Sequence, residues 1–149
     1  MVQYSSSLAQ SLFPFLQEED ARVMFGLMDE LVCREGTVLF SRNDPAEAVY
    51  FLIDGKIAVQ KKTGFGERVQ VVALLMAGAP IGERGLLDGK KRGATLLAVE
   101  ESRLLVLKKK SFEQFTKSNP VPAVHVLSWI LDRVTLRLQK NSERLAHVL

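Results

Sequence analysis

The chain has 149 residues, of which 47% are hydrophobic and 25% charged, with a net charge of +3; that is enough for one well-cored domain and short of two. The charges are interspersed without a basic tail, so charge alone names no nucleic-acid partner, and the single Cys33, set among apolar residues, excludes an intrachain disulfide and reads as a small buried hydrophobe. No basic start with an apolar run marks a signal peptide, and no stretch approaches the ~20 apolar residues that span a bilayer, so a cytoplasmic location is expected.

Residues 1–10, with Ser5-Ser6-Ser7, read as a flexible N-terminus, leaving 11–149 as one domain. Leu16, Val23, Met24, Leu27, Met28 and Leu31 then recur at helical spacing behind Glu18-Glu19-Asp20, a short amphipathic helix with acids near its positive end. From about 31 to 108 the pattern changes to short β-branched and aromatic runs, punctuated at Glu35-Gly36, Asn43-Asp44-Pro45, Asp54-Gly55, Gly64-Phe65-Gly66, Ala77-Gly78 and Asp88-Gly89. Such spacing predicts a β-sandwich or barrel. Asp54-Gly55, between Tyr50-Phe51-Leu52-Ile53 and Ile57-Ala58-Val59, is the clearest hairpin signal, because the turn needs positive φ. Ser111-Phe112-Glu113-Gln114-Phe115 predicts a short helix, and Asn119-Pro120-Val121-Pro122 a break before a long one over about 120–148.

In that last helix Val124, Leu127, Leu131, Val134, Leu138, Asn141, Leu145 and Val148 alternate three and four residues apart, a heptad seam. Such a helix is ~40 Å long at ~1.5 Å per residue, more than a small sandwich needs to cover its core, so a homodimer is expected. Asn141 is the one polar residue in the seam, where a buried Asn fixes register.

Ile81-Gly82-Glu83-Arg84-Gly85 followed by Arg92-Gly93-Ala94-Thr95 sets two glycines around a carboxylate and places an arginine nine residues beyond it. This is a sugar-phosphate pocket in outline: a carboxylate accepts from ribose hydroxyls, a guanidinium pairs with phosphate oxygens, and glycine lets backbone N–H groups approach an anion. The segment resembles the phosphate-binding cassette of the cyclic nucleotide-binding domain family. Glu35-Gly36-Thr37-Val38-Leu39-Phe40, Asp44, Tyr50 to Val59 and Gly78-Ala79-Pro80 resemble the family's opening strands and cassette approach, so the likeness covers roughly residues 10–149.

The resemblance implies a mainly β fold with flanking helices, a jelly-roll sandwich (double-stranded β-helix), followed by a long C-terminal dimerisation helix. It implies that Glu83 takes the ribose 2′-hydroxyl, Arg92 the cyclic phosphate and the Gly82–Gly85 backbone the other anionic oxygens, with Gly93 and Ala94 beside the arginine and the purine between Val59 and Val72. Leu138 to Leu145 resembles the family's dimer helix, where two adjacent polar residues cap the adenine; Asn141 and Ser142 fall there, so base reading stands beside register as the role of Asn141. Position 84 is usually apolar in the family and is Arg here, and the proline often preceding the phosphate arginine is Lys91. Arg84 either reaches the phosphate or base, or pairs with Asp88 along the surface, the reading favoured on sequence.

The expected function is therefore a cyclic nucleotide sensor that repositions its last helix. Gly93 stands where cGMP-selective members carry a hydroxyl, which favours cAMP over cGMP. The alternatives are a ligand-free scaffold of the same fold, or the sensor portion of a transcription regulator, since no helix-turn-helix, direct nucleic-acid contact or membrane segment is read here. Gly-Glu-Arg occurs twice, at 66–68 and 82–84, and only the second has the downstream arginine; Gly64-Phe65-Gly66 reads as a turn. His125 and His147 lack partners at metal-ligand spacing, and Lys108-Lys109-Lys110 reads as a solvated edge-protecting run. No nucleophile beside a base or pair of poised carboxylates assembles, so no enzyme is expected.

Overall fold

A computed structural model describes residues 2–64 and 68–148. Phe65, Gly66 and Glu67, on which the turn expected at Gly64-Phe65-Gly66 and most of the first Gly-Glu-Arg fall, lie outside the described residues. Helices α1 (Ser6–Leu12) and α2 (Glu18–Gly26) precede strands β1 (Asp29–Cys33), β2 (Val38–Phe40), β3 (Ala48–Asp54), β4 (Lys56–Thr63), β5 (Arg68–Met76) and β6 (Pro80–Ile81). A 3-10 turn (Glu83–Leu86), strands β7 (Thr95–Ala98) and β8 (Ser102–Lys108), and helices α3 (Lys109–Ser118) and α4 (Pro120–Val148) complete the chain. Two antiparallel four-stranded sheets, β1-β8-β3-β6 and β2-β7-β4-β5, face each other as a jelly-roll sandwich.

The hydrophobic run in β3 has a simple cause. Leu52, with Leu104 of β8, points between the sheets among Ile57, Leu75, Ile81 and Leu96. Val49 and Phe51, with Leu105 and Leu107, point the other way, under the helices, against Met24, Phe25, Phe115, Val126 and Ile130. A strand covered on both faces loses the polar alternation of a half-exposed one.

Several sequence expectations are corrected. The N-terminus is not frayed: Ser5 caps α1 by accepting from the Leu8 N–H at 3.3 Å, the Val2 N–H donates to Met28 O at 3.1 Å, and Leu12 and Phe13 are buried. Serine clusters resemble loops, yet one serine in the right place is an N-cap. Helix α2 ends at Gly26, so Met28 lies beyond it, Leu31 belongs to β1, and Val23 is exposed. Gly55 does adopt positive φ, but it makes no hairpin: β3 and β4 lie in different sheets, and the turn carries the chain across the sandwich. A Cβ there would strike Ser102, whose hydroxyl accepts from the Lys56 N–H at 3.1 Å. Periodicity sees the turn but not which sheet the next strand joins. Lys108-Lys109-Lys110 protects no edge, because β8 is an inner strand; Lys109 and Lys110 open α3, and Lys109 pairs with Asp88.

Cys33 is buried, and burial pushes its thiol pKa up, as befits a small hydrophobe. His125 and His147 are exposed on α4. No helix among the described residues is long and apolar enough to cross a membrane.

Candidate functional site

Arg92 is positioned by backbone pairing. Asn43 N–H donates to Arg92 O at 2.9 Å, Arg92 N–H to Asp44 O at 2.8 Å and Ala46 N–H to Lys90 O at 2.9 Å, with a bridge between Pro45 and Lys91. Lys91, where the family often has proline, is thus one side of a short antiparallel bridge and points to solvent. The Arg92 side chain is only 4% exposed. Its Nη1 donates to Gly82 O and its Nη2 to Ala48 O, both at 2.8 Å, and the guanidinium lies 4.1 Å over the Phe40 ring and 5.7 Å from that of Tyr50.

A guanidinium has five N–H donors, of which two go to these carbonyls, and Tyr50 is a further side-chain hydrogen-bond partner. Burial pulls its pKa below the usual arginine value, with Tyr50, Glu83 and Asp44 acting in the opposite direction. No carboxylate forms an ion pair with it among the described residues. A buried cation held by carbonyls and rings, with no carboxylate in ion-pair contact among the described residues, has the chemistry to take an anion.

The two glycines serve different ends. Gly82 has φ of 68°, and a Cβ there would crowd the Arg92 guanidinium and Phe40, so it must be glycine for the arginine to lie where it does. Gly85 has no such φ; a Cβ there would collide with the backbone of Ala48, so this glycine lets the 3-10 turn press onto β3. Gly85 is buried and, contrary to its expected role as a ligand contact, does not line the cavity above Arg92.

A cavity of about 570 Å³ opens above Arg92, within the usual size range of small-molecule pockets. It is lined by Gly82, Glu83, Arg84, Arg92, Gly93 and Ala94 from the cassette, by Val59 and Val72 from the second sheet, and by Asn141 from α4. Residues 30–119 match the sequence profile of the cyclic nucleotide-binding domain. The chain belongs to the cyclic nucleotide-binding domain family.

Among its relatives, the cyclic AMP receptor protein of Thermus thermophilus is 30% identical over 122 residues, covering 82% of this chain and 56% of that protein. The global nitrogen regulator of a Nostoc species is 34% identical over 116 residues, covering 76% of this chain and 51% of the regulator. The chain spans about half the length of these two relatives. A crystal structure of a cyclic nucleotide-binding domain from Methylobacillus flagellatus shares the fold at a TM-score of 0.83 and 24% identity, covering 90% of this chain and 75% of that one.

Nine of the eleven sequence-expected residues thus line the cavity of this cyclic nucleotide-binding domain. Gly85 and Ser142 do not; Ser142 is exposed on α4, one residue past Asn141 and so turned away by about 100°. Arg84 is not paired with Asp88, which Lys109 takes instead. Its guanidinium reaches Lys91 O at 3.4 Å and lies against Gly93, where any side chain would meet it at about 3.2 Å.

Sequence reasoning missed Phe40, Lys61, Arg137 and Arg144 in the lining. Arg137 and Arg144 stand four before and three after Asn141, hence on its helix face, and Lys61 stands two after Val59, hence on its strand face. Phe40 has no comparable signal. Arg137 also anchors α4 to the sandwich by donating to Pro80 O at 2.8 Å.

Proposed function

We propose that the chain is a cyclic nucleotide sensor whose preferred ligand is cAMP and whose output is the position of α4. The observation that carries this reading is the Arg92 guanidinium, buried with no carboxylate in ion-pair contact among the described residues, at the floor of a cavity that α4 helps to close. The cyclic phosphate sits on the Arg92 guanidinium and the backbone around Gly82, the ribose 2′-hydroxyl on Glu83, and the purine between Val59, Val72 and Asn141. The name of the Thermus thermophilus relative supports cAMP, as does the absence of a hydroxyl at Gly93. The purine end is read by Asn141, which offers a base edge both a donor and an acceptor. Ser142, turned outward here, belongs to the site only if α4 rotates on binding.

The proposal extends to a homodimer through α4. Val124, Leu127, Leu131, Leu138, Leu145 and Val148 are all exposed, between 44% and 82%, although they are apolar and in heptad register. A second α4 covers this stripe and brings two sensor pockets onto one coiled coil. Ligand favours one helix arrangement because Asn141, Arg137 and Arg144 touch it from α4 while the cassette touches it from the sandwich. The reading involves no catalysis and a cytoplasmic setting.

Titration calorimetry with cAMP, cGMP and 5′-AMP tests it. Saturable binding of cAMP, weaker binding of cGMP and loss of binding with the open-chain nucleotide are expected. Absence of heat and of competition with all three would leave the fold as a ligand-free scaffold.

A further inference from the structure

A second cavity, of about 910 Å³, lies on the flank of α4, between that helix, α1 and the outer strand β5. Its floor is apolar, from Leu8, Ile53, Leu74, Trp129 and Leu136. All of its charged residues are cations, Arg133, Arg137, Lys140 and Arg144, and no Asp or Glu lines it. Arg133 lies 5.7 Å over the Trp129 ring and Arg137 is tied to Pro80 O, while Lys140 and Arg144 make no hydrogen bond or ion pair among the described residues.

The heptad seam meets this groove only at Asn141, which lines its inner edge. At about 100° per residue, the groove residues Trp129, Arg133, Leu136 and Lys140 lie roughly 160° around α4 from Leu127, Leu131, Val134 and Leu138. That part of the groove therefore faces away from a second copy associated along the seam.

We infer that this groove is a binding site for a small amphipathic anion, an acyl chain ending in a carboxylate. The chain would lie on Trp129, Leu136, Ile53 and Leu8, and the head group would meet Lys140 and Arg144, where unpartnered cations over an apolar floor complement both ends. An occupant also touches Arg137 and Arg144, which line the nucleotide cavity, so the groove is placed to act as a second effector site.

Trp129 is the sole tryptophan, so its emission reports this groove directly. The full chain is titrated with dodecanoate below its micellar range, with dodecanol and sulfate as tail-only and charge-only probes. Saturable change with dodecanoate, at least tenfold weaker response to dodecanol and none to sulfate are expected. Lys140→Glu, outside the nucleotide cavity, weakens dodecanoate at least tenfold while cAMP binding and the circular dichroism spectrum are retained. The inference is overturned by an unresponsive Trp129, by equal response to dodecanol, by a Lys140→Glu variant that binds dodecanoate as well as the parent, or by saturation with a glutamate-rich amphipathic peptide but not with dodecanoate. Because the readout needs no nucleotide, its failure and that of the cAMP reading are separable.

Discussion

The two sides of the cavity above Arg92 are built on opposite principles. On the cassette side Arg92 and Gly85 are buried, each held by the backbone of β3 at Ala48, and little there moves without disturbing the sandwich. On the helix side α4 is buried at Ala123, Val126 and Ile130, but from Leu131 onward none of its described residues is fully buried. Arg137, Asn141 and Arg144 belong to that more exposed half, which Arg137 ties to the sandwich at Pro80. A site with one rigid wall and one hinged wall can bind tightly at the first and report at the second.

Variants on the rigid wall should therefore have the largest effects. Arg92→Ala removes the anion partner and strands two carbonyls, so cAMP affinity should fall by about 2–5 kcal/mol, thirtyfold or more, measured by calorimetry; a tenfold or smaller loss would mean the phosphate sits elsewhere. Arg92→Lys keeps the charge but not the fork, and should recover stability more than affinity.

Gly85→Ala should destabilise the fold by about 2–3 kcal/mol in denaturant titration, since the added methyl meets backbone that cannot swing aside. An unchanged midpoint would show that the 3-10 turn is not pressed onto β3.

Effects at the hinged wall should be smaller and selective. Asn141→Ala should weaken cAMP by about 1 kcal/mol and leave the dimer intact in sedimentation if base reading is its main role; equal losses in both would assign it to register. Leu131→Lys with Leu138→Lys should give monomers that keep the sandwich, because neither residue touches the core.

The least effect belongs to the surface. The Lys109 ammonium beside Asp88 holds that carboxyl below its usual range. A depressed carboxyl adds stability above its unfolded pKa, near 3.9, and loses it as pH falls through the lower folded value. Both partners are solvated, so Asp88→Asn should shift the melting temperature near pH 7 by about a degree or less, with the difference vanishing in ~1 M salt.

The same contrast explains what the sequence disclosed. Cassette residues are close along the chain and fixed by local geometry, so the convergence of Gly82, Glu83 and Arg92 on one cavity is legible as residue types at set spacings, as is the positive φ of Gly55 in its own turn. The sheet that β4 joins, the cap at Ser5 and the burial of Val2 against Met28 depend on contacts far apart in sequence, which periodicity does not encode. Arg84 shows the same limit: its pairing with Asp88 was reasonable at four residues' separation, until Lys109 from a distant helix took the carboxylate. The exposed stripe of α4, by contrast, followed from spacing alone, because a helix needs no partner strand to define its faces.

The most direct test is a crystal structure of the chain grown with cAMP. The phosphorus should lie against Arg92 and the Gly82 backbone, the ribose on Glu83 and the base facing Asn141. Nucleotide found only elsewhere, or an Arg92 without phosphate against it at saturating cAMP, would contradict the sensor reading.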